Sequence, residues 1–546
     1  MAVMSKILTF PNLTLAACIE GFFAIKLFPN YYSSSSHLAV VAFILLINYA
    51  FGVVFWVFLY PVLFSPLRRI PGPKAYLSAA HKSLVVKGRP SGDIFLDLAN
   101  EYPGNDLIML NSFRDQLCLM NPQLLADLLV HNCYDFAKPK RISSFLRHVL
   151  GDGLIIVEGD QHKFLRKNST PAFHFRHIKE LYPMMWAKSE TLTKAIAQDI
   201  TEARSSVVEL NGWASKVTLD IIGIAGLGRK FDTVEKRVDP LADIYEQLLE
   251  PDREKLVFAM LSLALGLPII RLIPWKMNDL FNYLTGSLNN LCYPMIKEKK
   301  AAIIEKGDDH FDLLSLLIKS NNFSDETLKD QLLTFLAAGY IHHGILHETT
   351  ASALTWACYL LTKHPDIQTK LREEVRTFLP PDVDSNTPDL ASILEQMPYL
   401  NGIMHETLRL YPTVPLTMRQ ALRDTHIGSQ FIPQGTDIIV SIWYINRAPS
   451  IWGPDAADFR PERWINGDGK PNQHGGASSN YNFLTFLHGP RSCIGQGFAK
   501  AEMRCLLANM VKAFEWTLAM DDKLVLPRGV ITIKPENGMY LNMKAL

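Results

Sequence analysis

Apolar residues run without interruption through one early segment of the chain. From Leu38 to Tyr60 there is no charged side chain and only one strongly polar side chain, Asn48. A helix over these residues reaches roughly 35 Å, enough to cross a bilayer with some tilt. A signal peptide begins nearer Met1, and a buried helix is rarely apolar on every face for so long. The pattern therefore predicts a single transmembrane anchor over residues 38–60.

The flanks of this anchor carry two further signals. A weaker apolar stretch, Ile7 to Phe28, contains Glu20 and Lys26, and it is compatible with a second crossing, an interfacial helix or a lumenal segment. Four prolines follow the anchor, and they are Pro61, Pro66, Pro71 and Pro73. Because proline interrupts helices, they predict a stiff hinge over residues 61–74. Positive charges are denser after the anchor than before it, and the downstream ones are Arg68, Arg69 and Lys74. This excess predicts that the part of the chain after the anchor lies in the cytosol.

Helical periodicity dominates the remaining residues, 75–546, which we expect to form one domain behind the N-terminal segment 1–37, the anchor and the hinge. The helical segments are Glu180–Ala203, Val217–Leu227, Glu326–Thr362, Ile367–Phe378 and Gly497–Phe514. The β-prone runs are short and are Leu107–Leu110, Asp437–Ile442 and Val530–Ile533. The fold class is therefore mainly α with small β-sheets. A broken apolar run, Val257–Ile273, predicts a surface element that dips into the membrane.

Composition narrows the chemistry. The 546 residues have a net charge of +1 and are 48% hydrophobic, which excludes a nucleic-acid partner and allows a large core. The seven cysteines form no CxxC pair and no regular spacing, so neither a zinc site nor a disulfide framework is indicated. Six of them are expected to be small buried hydrophobes.

The exception is Cys493. Residues 486–495 read Phe-Leu-His-Gly-Pro-Arg-Ser-Cys-Ile-Gly, a loop directly before an amphipathic helix. Free N–H groups and the positive end of that helix favour a negative sulfur. Gly489 and Gly495 allow the backbone to approach a flat macrocycle, and Arg491 adds a cation for an acidic group.

This loop resembles the haem-binding signature FxxGxRxCxG of the cytochrome P450 family at all five fixed positions. Two more motifs occur in the family's order. Glu406 and Arg409 are three residues apart on one helix face, and Arg463 follows in the segment Phe459-Arg460-Pro461-Glu462-Arg463-Trp464, where Trp464 replaces the usual Phe. The resemblance extends from about Pro71 to the C-terminus, and it implies a cytochrome P450 fold behind the anchor.

The resemblance also implies a cofactor, haem, with Cys493 as the axial thiolate ligand and metal ligand. Its implied cofactor-binding residues are Cys493, Arg491, Phe486, His162, Arg166 and Arg419. Glu406, Arg409 and Arg463 would form a structural triad on the cysteine side of the haem. Glu348 and Thr349 would be catalytic, by delivering protons to dioxygen.

The implied reaction inserts one oxygen atom from dioxygen into a lipophilic small molecule such as a fatty acid, terpenoid or polyketide. The chain has no flavin- or nicotinamide-binding module, so the electrons would come from a separate NADPH-dependent reductase. Three lysines are candidate docking charges for it, Lys163, Lys167 and Lys500. The implied location is the endoplasmic reticulum membrane, with a single-pass anchor and a cytosolic catalytic domain.

One departure from the family lies in the oxygen-side motif. Seven residues, Tyr340 to Leu346, separate Gly339 from His347-Glu348-Thr349. A helical insertion turns about 700° and keeps the same face, but it displaces one half by roughly 10 Å. A looped-out bulge and a coding artefact are the other two hypotheses. His342, His343 and His347 lack the spacing of a zinc motif.

Two rival functions follow from this departure. If the insertion abolishes oxygen activation, the chain is a haem-thiolate isomerase or dehydratase that needs no reductase. Alternatively, it is a catalytically silent haem-binding membrane protein. The cysteine-side motifs indicate haem binding alone, so they do not distinguish these alternatives.

Overall fold

The computed structural model of the protein describes residues 10–28, 37–73, 89–90, 92–111, 115–235, 253–306, 312–339, 349–529 and 532–546. Nineteen α-helices lie in these ranges. The first ten are α1 Phe10–Leu27, α2 His37–Val54, α3 Asp93–Glu101, α4 Lys140–Leu150, α5 Gly159–Ser169, α6 Phe175–Ala203, α7 Leu210–Ile222, α8 Arg253–Leu265, α9 Leu267–Ile270 and α10 Lys276–Lys306. The others are α11 Leu313–Lys319, α12 Asp325–Gly339, α13 Thr349–Lys363, α14 Pro365–Phe378, α15 Leu390–Gln396, α16 Pro398–Leu410, α17 Ile442–Ile445, α18 Pro449–Trp452 and α19 Gln496–Ala513. 

Π-helical turns extend two of these helices, Phe55–Phe64 after α2 and Gly223–Leu227 after α7. The strands are β1 Leu107–Asn111, β2 Asp115–Leu119, β3 Phe136–Ala137, β4 Val207–Glu209, β5 Leu416–Ala421, β6 Thr425–Ile427, β7 Gln430–Ile432, β8 Asp437–Ser441, β9 Phe514–Leu518, β10 Pro527–Arg528, β11 Lys534–Pro535 and β12 Tyr540–Ala545.

The strands form one larger sheet and three small ones. The five-stranded sheet has the order β1-β2-β8-β5-β3, in which only the β2–β8 pair is parallel. The three-stranded sheet has the order β4-β12-β9, and β6–β7 and β10–β11 are two-stranded. The prediction of a mainly α fold with small β-sheets is confirmed.

The hydrophobic core lies among the long helices. Helix α13 crosses its centre, and each side chain from Ala351 to Leu361 is buried. Helix α19 packs against α6, and α7 packs against α13. A second cluster lies between α3 and the five-stranded sheet, with Ile108, Leu117 and Val440 fully buried. The helix-rich core carries the cysteine loop on one of its helices, α19.

Most predicted elements are present with shifted ends. The helical segment predicted over Glu326–Thr362 is described as α12 and α13, and residues 340–348 between them lie outside the described residues. The strand predicted over 530–533 is wrong at its described end, because Thr532 and Ile533 precede β11 rather than belong to a strand. Ile442, predicted as strand, begins α17 because the Ser441 side chain accepts the N–H of Tyr444 and caps a helical turn.

The apolar N-terminal segment forms a continuous helical rod. Within the described residues, His37–Tyr60 is the one helix long and apolar enough to cross a membrane, with a mean hydropathy of 2.5. The helical turns continue past Pro61 to Phe64 as wider π-type turns. The chain therefore leaves the rod at Ser65.

The segment after the rod is docked on the body. Leu67 is 1% exposed and belongs to the core beneath the five-stranded sheet. The Pro71 carbonyl accepts the N–H of Met109 at 2.8 Å. A Cβ on Gly72 would lie 1.9 Å from the Met109 carbonyl oxygen, so only glycine allows this approach. Residues 61–64 of the expected hinge thus belong to the rod, and residues 65–73 are held against the body.

Candidate functional site

The cysteine loop is held in shape by its own backbone. A short 3₁₀ turn, Gly489–Arg491, precedes Cys493, and the Ser492 N–H donates to the Gly489 carbonyl at 3.0 Å. The Cys493 N–H donates to the Phe486 carbonyl at 2.8 Å, which closes the loop. Helix α19 then begins at Gln496. The sulfur thus lies three residues before a helix N-terminus, as the sequence predicted.

Gly489 has no possible substitute in this loop. Its φ is +76°, in the region that favours glycine, and a Cβ there would lie 2.1 Å from the Leu129 carbonyl oxygen. Leu129 is in the π-helical turn Asp127–His131, which packs directly against the loop. The glycine that was expected to allow approach to a macrocycle instead allows approach to a neighbouring backbone.

Cys493 is accessible to solvent, whereas the cysteines at 118, 133, 292, 358 and 505 are buried; Cys18, on α1, is also exposed, so the expectation of six buried cysteines is wrong for that one. Yet burial among protein atoms raises the pKa of the Cys493 thiol, against the lowering effects of the Gly495 N–H and of Arg166. An accessible sulfur with a burial effect indicates a recess inside the protein, not the outer surface. The expected stabilisation of the thiolate is present in direction, but burial outweighs it.

Two predicted residues on α5 reach different parts of the site. The Arg166 guanidinium donates to the Ser492 carbonyl at 2.5 Å and to the Ser492 hydroxyl at 3.2 Å, so it supports the cysteine loop. His162 is 3% exposed and lies 3.3 Å from the Tyr134 hydroxyl through Nδ1. The two side chains share one face of the helix, as their spacing predicted.

Four basic side chains lie close together and form a basic cluster, which consists of Lys138, His162, Arg419 and Arg491. The Arg491 guanidinium donates to the carbonyls of Cys133 and Phe136 and forms an ion pair with Glu158. The Lys138 ammonium lies 3.6 Å from the same Glu158. Arg419, on β5, is 4% exposed and donates to the Thr417 hydroxyl and the Met418 carbonyl.

The protonation behaviour of this cluster reflects crowded positive charge. Burial, together with the neighbouring Arg419 and Arg491, lowers the pKa of Lys138 to about 8. Burial and Arg491 lower the pKa of Arg419 to about 10, and burial, Arg491 and Lys138 lower the pKa of His162 to about 4. At neutral pH three cations therefore lie near Glu158, which forms ion pairs with Lys138 and Arg491 and acts on Arg419 through its charge alone. The cluster has an excess of positive charge that an anionic ligand would neutralise.

A buried ion pair lies on the other side of the cysteine loop. Glu406 and Arg409 are both 0% exposed and form two parallel hydrogen bonds of 2.8 Å. The remaining Arg409 N–H groups donate to the backbone carbonyls of Asn446, Ala456 and Asp458. All five guanidinium donors are used, which is the condition under which a buried charge is tolerated.

Arg463 and Trp464 complete the surroundings of Glu406. The Arg463 Nε lies 3.3 Å from Glu406 Oε1, and the Arg463 guanidinium also donates to the Asp455 carbonyl at 2.6 Å. Trp464 is 0% exposed and its indole N–H donates to Glu406 Oε2 at 2.9 Å. The tryptophan that departs from the family's phenylalanine thus supplies a hydrogen bond that phenylalanine lacks.

This network continues into the cysteine loop. The Asn446 amide donates to the Thr485 hydroxyl at 2.8 Å, and its oxygen accepts the Leu484 N–H at 3.0 Å. The Thr485 hydroxyl in turn donates to the Leu408 carbonyl on α16. Because Arg409 fixes the Asn446 carbonyl, the ion pair positions the start of the loop that carries Cys493.

The predicted oxygen-side residues are described only in part. Thr349 is the first residue of α13 and is half-buried. Glu348 and the insertion at 340–346 lie outside the described residues, as do His342, His343 and His347. The helical insertion, the looped-out bulge and the coding artefact therefore stay the three hypotheses for residues 340–346.

Some expectations about surface charge are wrong. Lys500 is 8% exposed, its ammonium donates to Gln473 Oε1 at 3.1 Å, and burial lowers its pKa to about 7. It faces inward because it belongs to the buried stripe of α19, so it is not a docking charge for a partner. Lys163 and Lys167 are exposed on α5, as expected.

Sequence reasoning missed several members of the site. Lys138, Tyr134 and Glu158 belong to no motif, and their chain positions give no reason to join them with Arg491. Glu158 directly precedes the Gly159-Asp160-Gln161-His162 segment, and its position next to that segment was the one available signal.

Comparison with known proteins places the chain in a family. The family model for cytochrome P450 matches residues 71–542. The chain is 40% identical over 498 residues to the cytochrome P450 monooxygenase sphH of Aspergillus fumigatus, covering 89% of this chain and 90% of that protein. It is 35% identical to the cytochrome P450 monooxygenase FUM15 of Gibberella moniliformis, covering 89% and 88%, and 34% identical to the cytochrome P450 monooxygenase ptmK of Penicillium ochrochloron, covering 90% and 96%.

The chain belongs to the cytochrome P450 family and is a haem-thiolate monooxygenase, an oxidoreductase. Its cofactor is haem. The described residues fit that group, because an accessible sulfur lies in an internal recess and a basic cluster with excess charge lies nearby. The buried Nε of Arg491, which has no hydrogen-bond partner within the described structure, is a further donor at this point. A redox partner and a lipophilic substrate follow from the family.

The hydrogen bond from Trp464 to Glu406 predicts a specific loss of stability. A hydrogen bond to a charged acceptor contributes roughly 1.5–3 kcal/mol, against roughly 0.5–1.5 kcal/mol for a neutral one. Trp464→Phe should therefore lower the free energy of unfolding by about 1 kcal/mol more than Trp516→Phe, whose buried indole donates to the neutral Cys358 carbonyl at 3.0 Å. Denaturant unfolding of the two variants measures the difference, and equal losses would contradict the role of Trp464.

Proposed function

We propose that Cys493 is the axial ligand of the haem iron and that the basic cluster binds the haem carboxylates. The single observation that supports this most strongly is the pairing of an accessible cysteine inside the protein with a set of buried cations. The bound haem supplies the activation of dioxygen for the insertion of one oxygen atom into a substrate. The roles of the chain's own residues follow from their contacts.

The residues around the sulfur act by holding it. The Phe486 carbonyl fixes the Cys493 N–H, and Arg166 fixes the Ser492 carbonyl, so the loop has little freedom to move the thiolate away. Arg166 and the Gly495 N–H also stabilise negative charge on sulfur, since both lower the pKa of the thiol. A thiolate fixed in this way suits a ligand that must stay bound through turnover.

Arg491, Arg419, Lys138 and His162 bind and orient the haem carboxylates. Glu158 holds Arg491 and Lys138 in place, so the cations are positioned before the ligand arrives. Burial lowers the pKa of His162 to about 4, so the side chain is neutral at pH 7 and binds as a hydrogen-bond donor. Phe486 packs against the core beside the loop.

Thr349 and Glu348 deliver protons on the oxygen side. Thr349 opens α13, whose following residues are buried, so its hydroxyl lies where the helix enters the core. The apolar surroundings exclude bulk water, and a hydroxyl at that point is a source of a controlled proton. Phe335 on α12, which packs edge-to-face on Phe173 at 5.6 Å, contributes to an apolar environment for a lipophilic substrate such as a fatty acid, terpenoid or polyketide.

The partner and location belong to the same proposal. Electrons come from an NADPH-dependent reductase, because the matched chain carries no module of its own for flavin or nicotinamide. The His37–Tyr60 helix anchors the chain in the endoplasmic reticulum membrane. The exposed Arg68 and Arg69 favour a cytosolic catalytic domain, which residues 75–546 form.

The proposed reaction is tested by following oxygen from labelled dioxygen. Cells that express the chain with its reductase should form a lipid-soluble product that carries one labelled oxygen atom, and cells that express Cys493→Ala should not. Thr349→Ala microsomes should consume NADPH but form less product per NADPH than the parent, because the proton source is removed. Thr362→Ala, at the far end of the same helix, is the control. An unlabelled product that forms without NADPH would instead indicate the isomerase or dehydratase, and no product would indicate the silent protein.

The basic cluster predicts how tightly haem is held. Arg419→Gln should speed the transfer of haem to apomyoglobin by about 10- to 100-fold, since one charge-assisted hydrogen bond contributes roughly 1.5–3 kcal/mol. Arg419→Lys, which keeps the charge, should lose less. Arg423→Gln is the matched control, because Arg423 is exposed on the surface beside Asp135 and should leave the rate unchanged. Equal rates for Arg419→Gln and the parent would refute the assignment.

A further inference from the structure

Helix α1 packs along α2 as an antiparallel partner. At one end Leu13 contacts Gly52, where a Cβ would lie 3.3 Å from the Leu13 side chain. At the other end Gly21 faces Val41, and a Cβ on Gly21 would lie 2.7 Å from Val41 Cγ2. Between these points Ala17 is 0% exposed. Small residues therefore allow close contact over nearly the full length of α1.

A polar contact joins the two helices within this apolar surface. The Asn48 amide donates to Glu20 Oε2 at 2.7 Å. Asn48 is the one strongly polar residue of α2, and Glu20 is the one acidic residue of α1. Each would be costly in lipid without a partner, and each is the other's partner. In water an exposed polar contact of this kind contributes little to stability. An apolar environment around the two helices explains why the contact lies between them.

The outer faces of both helices are apolar. The exposed side chains on α1 and just after it are Leu15, Ile19, Phe22, Phe23, Leu27 and Phe28. Those on α2 include Leu38, Phe43, Leu46, Ile47, Phe51 and Val54. An interfacial helix needs one polar face, and α1 has apolar residues both toward α2 and away from it. By length and composition alone α1 does not count as a span beside His37–Tyr60, but its 18 residues reach about 27 Å, close to the thickness of the bilayer core, and its acidic residue Glu20 is paired on α2.

We propose that α1 and α2 form a hairpin that crosses the membrane twice, so that Met1 lies on the same side as the catalytic domain. The occupant of the apolar surface is the lipid bilayer. Charge agrees with this arrangement. Lys6, Arg68, Arg69 and Lys74 then share the cytosolic side, and Lys26 alone lies near the lumenal turn, where its long side chain reaches the interface. This replaces the expected single-pass anchor, and it rests on the membrane anchor proposed above.

The position of the N-terminus tests the hairpin directly. The full chain carries one epitope tag at each end, and sealed microsomes are treated with protease. The hairpin predicts that both tags are digested without detergent. A chain lacking residues 2–28 retains one crossing, so its N-terminal tag should become protected while its C-terminal tag is still digested. Protection of the N-terminal tag in the full chain would overturn the hairpin.

Labelling of Phe28, just after α1, tests whether α1 crosses the membrane or only lies on its surface. In a Cys18→Ala background, Phe28→Cys should react with a membrane-impermeant maleimide only after the vesicles are opened. Lys167→Cys, on the exposed face of α5, should react in intact vesicles. If Phe28→Cys reacts in intact vesicles, α1 does not cross. If alkaline carbonate releases the full chain from the membrane, the anchor itself fails, and this outcome differs from the failure of the hairpin alone.

A disulfide cross-link tests the packing of α1 on α2. A Cβ on Gly21 would lie 3.5 Å from Val41 Cβ, within the range of a disulfide. The double variant Gly21→Cys/Val41→Cys, with a protease site inserted among residues 29–36, should keep its two fragments linked after oxidation and cleavage. Phe22→Cys/Val41→Cys is the control, because Phe22 faces away and should give separate fragments. Separate fragments from the first pair would contradict the packing of α1 on α2.

Discussion

The buried ion pair between Glu406 and Arg409 is the constraint on which the cysteine side of the site depends. Both side chains are fully buried, so every donor and acceptor must be satisfied within the protein. Arg409 meets this requirement by binding three backbone carbonyls between Asn446 and Asp458, and this draws that irregular segment around α16. Removal of one partner of such a pair costs about 3–5 kcal/mol, because the other charge is left buried.

The same constraint reaches the haem side through backbone contacts. Asn446 is held by Arg409 and in turn holds Leu484 and Thr485, which begin the loop that carries Cys493. On the opposite side Arg166 holds Ser492. The sulfur is thus fixed from two directions by Asn446 and Arg166, which lie 280 positions apart along the chain. The basic cluster is similarly organised by Glu158, which gathers cations from β5, the cysteine loop and the segment before α4.

The sequence was most informative where chemistry demands particular residues at short spacing. Glu406 and Arg409 on one helix turn, the cysteine loop and the uncharged stretch 38–60 are local patterns, and each lies in the structure in the predicted form. Two partners of Arg491, Lys138 and Glu158, could not be predicted, because they meet it only through tertiary contacts. Lys500 was misassigned because a lysine on an amphipathic helix is ordinarily exposed, whereas here α19 is buried on nearly every side.

Three features required the structure for another reason. Trp464 looked like a mild departure from the family, and its value lies in an indole N–H that is aimed at Glu406, which spacing alone does not reveal. The pairing of Glu20 with Asn48 joins residues 28 positions apart on separate helices, so neither residue predicts the other. The glycine at 72 likewise has a function only because Met109 lies against it.

The central claim is that Cys493 binds the haem iron as a thiolate, and the visible spectrum of the reduced, CO-treated protein tests it most directly. The parent should show the red-shifted Soret band of thiolate ligation, and Cys493→Ala should lose it. Cys505→Ala, whose cysteine is buried within α19, should keep it. A parent that binds haem without the shift, or a Cys493→Ala variant that retains it, would contradict the account.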